Sequence, residues 1–235
     1  KDFKLTAGQL VDIVRICQLV EGFPLAIELA ANWIGDLTCS EIAAELSSGL
    51  DLLETTQHDV DPAHRSLRTV FRTSWRLISD LQQRALAQLS IFEGGFGVDA
   101  ASAILGVTPA TLSALRNKTL LRNAGSRRYD FHTLIQQFAT EALSAMGDLA
   151  PQVRERHSRH YLAGLADQVA ALDSIRAREA ADRVTPDWEN ITSAWRCAVD
   201  MGNGALLRAA VDGVIEYADM RGKREDIEPM LRAAI

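Results

Sequence analysis

The 235-residue sequence predicts a mainly α fold with a single short β-hairpin: a helical first unit, a winged helix, and then antiparallel helix pairs. Three observations predict it. Apolar residues recur three and four positions apart along nearly the whole chain, the spacing of amphipathic helices. Two short β-type runs occur once, near the middle, with a turn between them. The charge balance also changes sign twice. Residues 1–61 hold 3 basic and 11 acidic side chains, residues 62–147 hold 10 and 5, and residues 148–235 hold 12 and 15. These shifts mark three units with those boundaries, an acidic first one able to pack on a basic second.

In the first unit, Leu10, Ile13, Val14 and Cys17 lie at helical spacing, as do Leu25, Ala26, Leu29, Ala30 and Trp33. Glu21-Gly22-Phe23-Pro24 separates them: glycine ends a helix, and proline fits the first turn of the next. Thr38 with Glu41 has the spacing of a capping box, opening a helix expected to stop near Gly49. The polar stretch from Glu54 to Pro62 reads as a linker.

In the middle unit, Leu67, Val70, Phe71, Ser74, Trp75 and Ile78 share one helical face, and Leu81, Ala85, Leu86, Leu89 and Phe92 share the next. Gly94-Gly95-Phe96-Gly97 reads as a plain loop, and Val98–Leu105 as a short helix. Thr108-Pro109 starts another helix by side-chain capping and a preset φ. Residues 119–123 and 127–131 form the hairpin around Ala124-Gly125-Ser126, and a helix over 133–146 follows. Beyond Pro151 the stripes are Tyr161, Leu165, Val169 and Leu172, then Trp188, Ile191, Trp195, Ala198 and Val199, then Leu207, Ala210, Val211, Val214 and Tyr217.

Catalytic chemistry is not indicated. There is no G-x-x-x-x-G-K-[ST] loop to cradle a triphosphate. His157 and His160 lie three apart on a helix, but they lack a third ligand and read as surface histidines, so no metal is expected. Glu225 and Asp226 read as a solvated face. Cys17, Cys39 and Cys197 are odd in number and widely spaced, with neither disulfide nor metal spacing. No run of 18 apolar residues suggests a membrane span. With no signal-peptide pattern at Lys1-Asp2-Phe3-Lys4, the expected setting is cytoplasmic.

The segment Glu21-Gly22-Phe23-Pro24-Leu25-Ala26-Ile27-Glu28-Leu29-Ala30 resembles the Gly-x-Pro segment in the helical lid of STAND ATPases, the signalling class that includes the NB-ARC proteins. Tyr129-Asp130-Phe131-His132-Thr133-Leu134 is similar to that family's histidine motif behind the wing, with Thr133 where an aspartate is usual. His64-Arg65-Ser66-Leu67-Arg68, Ser74-Trp75, the stretch from Leu89 through Glu93-Gly94-Gly95 to Phe96, and Lys118-Thr119-Leu120-Leu121 resemble the linker and winged helix of bacterial members. Trp188-Glu189-Asn190-Ile191 with Ala194-Trp195 resembles the start of their tetratricopeptide-like sensor region.

The resemblance implies residues 1–61 as the lid, 62–147 as the winged helix and 148–235 as the start of the array. The P-loop domain would precede Lys1. It implies Pro24 against the adenine of ADP or ATP and His132 at the β-phosphate, the nucleotide being held by the longer protein and not tightly by this chain. The partners implied are that P-loop domain, an inducer (a protein or small molecule) on the helical region, and further copies on activation. Transcriptional control would be the output. Direct DNA contact is not expected, because the helix at 110–117 offers few base-reading side chains. The alternatives are a DNA-binding winged helix, which Arg116, Lys118, Arg122, Arg127 and Arg128 would serve, and a helical protein-interaction scaffold.

Overall fold

The computed structural model describes residues 7–20, 22, 24–34, 36–54, 62–173, 175 and 177–234. Three helices come first: α1 (Ala7–Leu19), α2 (Pro24–Ala31) and α3 (Cys39–Glu54). Gly22, at φ +70°, turns the chain after α1, its N–H bonding back to the Cys17 carbonyl at 2.9 Å, and Pro24 opens α2 as the sequence predicts. Glu21 and Phe23 of that joint lie outside the described residues, as does most of the expected linker, 55–61. The capping box is formed: Thr38 N–H reaches the Glu41 carboxylate at 2.8 Å, and Glu41 N–H reaches the Thr38 hydroxyl at 3.3 Å. Those Thr38 bonds hold the Glu41 carboxyl below its usual range.

Two expectations for this unit are corrected. The third helix runs past Gly49 to Glu54, since a single glycine costs only about 1 kcal/mol in a helix. Ile16 on α1 and Val20 just after it are buried, while Leu10 and Val14 stay about half exposed.

Next come α4 (Pro62–Arg76), α5 (Asp80–Leu89), β1 (Phe96–Gly97), α6 (Val98–Leu105), α7 (Pro109–Asn117), β2 (Arg122–Asn123), β3 (Arg128–Asp130) and α8 (Thr133–Ser144). The antiparallel sheet has the order β1-β3-β2, with Phe96 opposite Tyr129 and Arg122 opposite Asp130. A helix, a strand, two helices and a two-stranded wing make the winged-helix arrangement. Its first strand is two residues long, too short for any alternation to show in sequence. The wing strands are shorter than the expected runs because Thr119 (φ +59°) and Arg127 (φ +55°) leave the extended region. Leu81, expected on the buried face of α5, is 71% exposed.

The last part is α9 (Leu149–Ala166), α10 (Val169–Leu172), α11 (Ala177–Val184), a 3₁₀ turn at Thr185–Asp187, α12 (Trp188–Asp200), α13 (Gly204–Arg221) and α14 (Arg224–Arg232). α9 packs on both α12 and α13, and Trp188 stacks on Tyr217 with ring centres 4.3 Å apart. One connected cluster of buried apolar side chains runs from Ile16 through Phe92 and Trp195 to Ile227. The helical units thus share a core. No single helix among the described residues is long and apolar enough to cross a membrane.

Two glycines, Gly213 facing this packing surface and Gly164 exposed on the same helix as Leu165, test it. A Cβ at Gly213 would lie 2.8 Å from Leu165 Cγ and 3.2 Å from the Leu165 carbonyl oxygen, whereas one at Gly164 would meet nothing within 4 Å. Gly164→Ala should therefore stabilise the protein by about 0.5–1 kcal/mol. Gly213→Ala should destabilise it by about 1–3 kcal/mol despite the same propensity gain. Urea melts of the two variants against wild type read the opposite signs.

Candidate functional site

Pro24 sits exposed at the first position of α2. Its ring faces open surface, with no backbone N–H to satisfy. His132 is half-buried at the corner between wing and α8. The helix cap is His132 itself, whose Nδ1 accepts the Leu134 N–H at 3.4 Å, and Thr133 is the first helical residue, exposed. With Nδ1 committed as an acceptor, the neutral ring carries its proton on Nε2, which has no protein partner among the described residues. No hydrogen bond or ring contact joins Pro24 to His132. They share α4, against which both α2 and α8 pack. The far end of α2 is tied to α7, Asn32 Nδ2 donating to the Thr119 hydroxyl at 2.5 Å and Asp36 lying 3.8 Å from Lys118 Nζ.

The five basic side chains of the wing region are all engaged within the chain. Arg116 donates to Asn117 and Lys118 pairs with Asp36. Arg122 pairs with Asp130 at 3.0 Å and Arg127 with Asp99 at 2.8 Å. Arg128, the least exposed of the four that pair with carboxylates, donates to both Asp187 Oδ1 and the Pro186 carbonyl at 2.8 Å. That fork fastens the wing to the entrance of α12.

Beside it lies a buried polar junction. Asn190, fully buried on α12, accepts the Glu93 N–H at 2.9 Å through Oδ1 and donates through Nδ2 to the Gly95 carbonyl at 2.8 Å. These two backbone partners fix the orientation of the amide. His157 Nε2 on α9, 3.2 Å from the same Oδ1, must therefore carry the proton. From the other side, Gln136 on α8 donates to the Phe92 carbonyl at 2.8 Å. Thus the loop of residues 90–95 is clasped by α8 and α12. Its glycines fit a narrow slot, both at positive φ: a Cβ on Gly94 would strike Glu189 Oε2 at 2.5 Å, and one on Gly95 would lie 3.0 Å from the Tyr129 carbonyl.

His157 was expected at the surface and is instead 1% exposed, its ring packed against Phe92 and Tyr161. Burial, partly offset by the Asn190 bond, lowers its pKa to about 4, so it is neutral at pH 7. His160, three residues on, is exposed, and no cluster able to hold a metal occurs among the described residues. Sequence reasoning missed Asn190 and His157 as a pair. A signal existed: His157 precedes Tyr161 and Leu165 by four and eight residues, and Asn190 precedes Ala194 and Ala198 likewise, placing both polar residues on apolar stripes.

With this geometry in hand, the relatives are informative. An uncharacterized protein of Mycobacterium tuberculosis is 29% identical over 170 residues, 68% of this chain and 43% of that protein; its Mycobacterium bovis counterpart matches equally. A protein of M. tuberculosis provisionally named an HTH-type transcriptional regulator is 27% identical over 211 residues, 86% of this chain and 24% of that protein. The chain is distantly similar to transcriptional regulators. It spans less than half the length of each of these relatives. No family model and no solved structure matches.

Two outcomes check the junction. Asn190→Ala strands the Glu93 N–H, the Gly95 carbonyl and the His157 N–H together, and each buried orphan costs about 1–3 kcal/mol, so a loss of at least about 2 kcal/mol in chemical denaturation is expected. His157 sets a pH dependence. Its folded pKa lies below the unfolded 6.5, so between pH 6.5 and about 4 the unfolded chain binds a proton that the folded chain refuses. Stability therefore falls as pH falls through that window, by roughly 3 kcal/mol in all, and is fully present above it. Unfolding measured from pH 7 to 4.5 should show this slope in wild type and lose it in His157→Gln.

Proposed function

We propose that the chain is the regulatory portion of a STAND-type nucleotide switch acting in transcriptional control, with its phosphate loop supplied by another segment of a longer protein. The observation that carries this reading is the junction. Two segments that resemble bacterial STAND regulators, Glu93-Gly94-Gly95 and Trp188-Glu189-Asn190-Ile191, lie some 95 residues apart and interlock through Asn190. A helical array joined to the winged helix by one buried polar clasp can pass a movement to it. Bistable packed elements of this kind convert small shifts into switching. The distant likeness to proteins named as regulators supports the regulatory output.

The residues present fit an adenine nucleotide in the roles the resemblance implies. Pro24 offers an exposed rigid apolar ring for a base, and His132 offers a free Nε2–H donor beside a helix N-terminus for a phosphate oxygen. Bound nucleotide would supply a base and a charged phosphate chain linking lid to wing; the phosphate loop and magnesium ligands would come from elsewhere. Hydrolysis is not expected of this chain.

The names of the relatives raise a second reading, in which the winged helix reads DNA directly. Against it stands the engagement of the wing's cations: four of the five are paired with carboxylates, and a phosphate contact from any of those four would first have to break an internal pair. We place DNA reading outside this unit.

Calorimetry should show at best weak ADP and ATP binding by the chain alone, and no phosphate release; sub-micromolar binding would put the main site here and sink the assignment. Fluorescence anisotropy with duplex DNA should show only weak binding that collapses as salt rises. Sequence-selective binding at physiological salt would promote the second reading. In the full-length protein, His132→Ala should remove a charge-assisted bond worth roughly 1.5–3 kcal/mol in the ADP-held state alone. The closed population then falls about 10- to 100-fold, read as faster ADP release and raised basal output. Unchanged release in a folded variant would make His132 a helix cap and nothing more.

A further inference from the structure

The loop held by Asn190 also floors a cleft of about 600 Å³ between the winged helix and the array. Three helices line it, each with a single stripe: α8 with Leu143, α9 with Arg154, and α12 with Arg196 and Asp200, while Glu93 rises from the loop. Leu143 is buried at the base, whereas the four charged side chains are exposed around it. Elsewhere on this half of the chain, Arg128, Arg221 and Arg224 form ion pairs, while Arg156 and Arg183 donate to neutral oxygens. None of the four cleft charges forms an ion pair among the described residues. Arg196 donates only to the Thr192 carbonyl of its own helix. Opposite charges are neighbours there: Arg196 acts electrostatically on Glu93, and Arg154 and Asp200 both act on Cys197.

We infer that this cleft binds a small zwitterion, a free amino acid or short peptide, and that its occupancy is the input of the switch. Two guanidinium groups on adjacent helices provide forked donors for a carboxylate. Glu93 and Asp200 provide acceptors for an ammonium. The formal charge of the four residues sums to zero, which suits a zwitterion and disfavours a polyanion. The apolar base takes a side chain, and the volume lies within the range of ordinary ligand pockets. Because Glu93 donates its backbone N–H to Asn190 while its carboxylate faces the cleft, a ligand that engages it pulls on the clasp itself. The input role rests on the nucleotide-switch reading above; the binding site does not.

The probes are the twenty free amino acids and a set of unblocked dipeptides, each dipeptide paired with its N-acetylated, C-amidated form, titrated calorimetrically into the chain. Binding of at least one free form is expected, with its blocked counterpart about tenfold or more weaker, a difference of one decade in affinity. Arg196→Gln and Glu93→Gln, each checked for an unchanged melting temperature, should weaken it by a similar factor. No binding at about 10 mM, where affinity would be negligible, overturns the site, as does equal binding of blocked and free forms or preferential binding of glutarate. ADP release from the full-length protein is then measured with and without the bound probe. Altered release supports the input role. Unaltered release, in a protein that does retain ADP, overturns that role while the binding site stands; failure to retain ADP at all counts against the nucleotide reading alone.

Discussion

The partly buried loop of residues 90–95 pairs with no strand, and its Glu93 N–H and its Phe92 and Gly95 carbonyls are met by side chains instead. Asn190 satisfies one donor and one acceptor of that loop, and Gln136 satisfies another acceptor. Were the amide of Asn190 absent, the loop would have to move toward water, β1 would lose its lead-in, and the wing would lose the strand that Tyr129 and Arg128 pair with. The Phe92–His157–Tyr161 packing would open as well. A buried amide of this sort fixes register more than it adds stability, since an apolar substitute could fill the space but could not choose among positions of the loop. Asn190 and the Arg128 fork are therefore the polar contacts that set how the winged helix meets the array.

Much of the architecture could be read from the sequence because its causes are local. Thr38 with Glu41, and Thr108 with Pro109, start helices through bonds and dihedrals that span four residues or fewer, and the structure keeps both. The hairpin was legible for the same reason. What escaped was set by distant neighbours. Leu10 and Leu81 have the right spacing for burial, yet no described element covers them. His157 reads as solvated by its polarity, but its place on the Tyr161 stripe decides its burial. The two-residue strand at Phe96 exists only because β3 lies beside it.

The candidate site divides in the same way. Pro24 and His132 were chosen through resemblance, and the structure puts them on separate elements that meet at α4, with His132 also capping α8. The cations of the wing stood out by composition. Pairing could not be seen from composition, because Asp36, Asp99 and Asp187 are remote in sequence from Lys118, Arg127 and Arg128. Lysines and arginines clustered in a chain predict a basic surface only when their counter-charges are not delivered by the fold.

The span of the Asn190 clasp has a consequence for biosynthesis. Its two backbone bonds close over 97 and 95 residues of chain. At about 5–20 residues per second of translation, roughly 5–20 s separate the emergence of the Gly94-Gly95 loop from that of the side chain that holds it. During that interval α5–α8 can collapse around Leu86, Leu112 and Ile135 and β1 can pair with β3, but the loop before β1 lacks the amide that holds it. The nascent winged helix is thus completed from behind, by a helix the ribosome has not yet made, and a pause in synthesis before α12 would leave the Glu93 N–H and the Gly95 carbonyl without their side-chain partner.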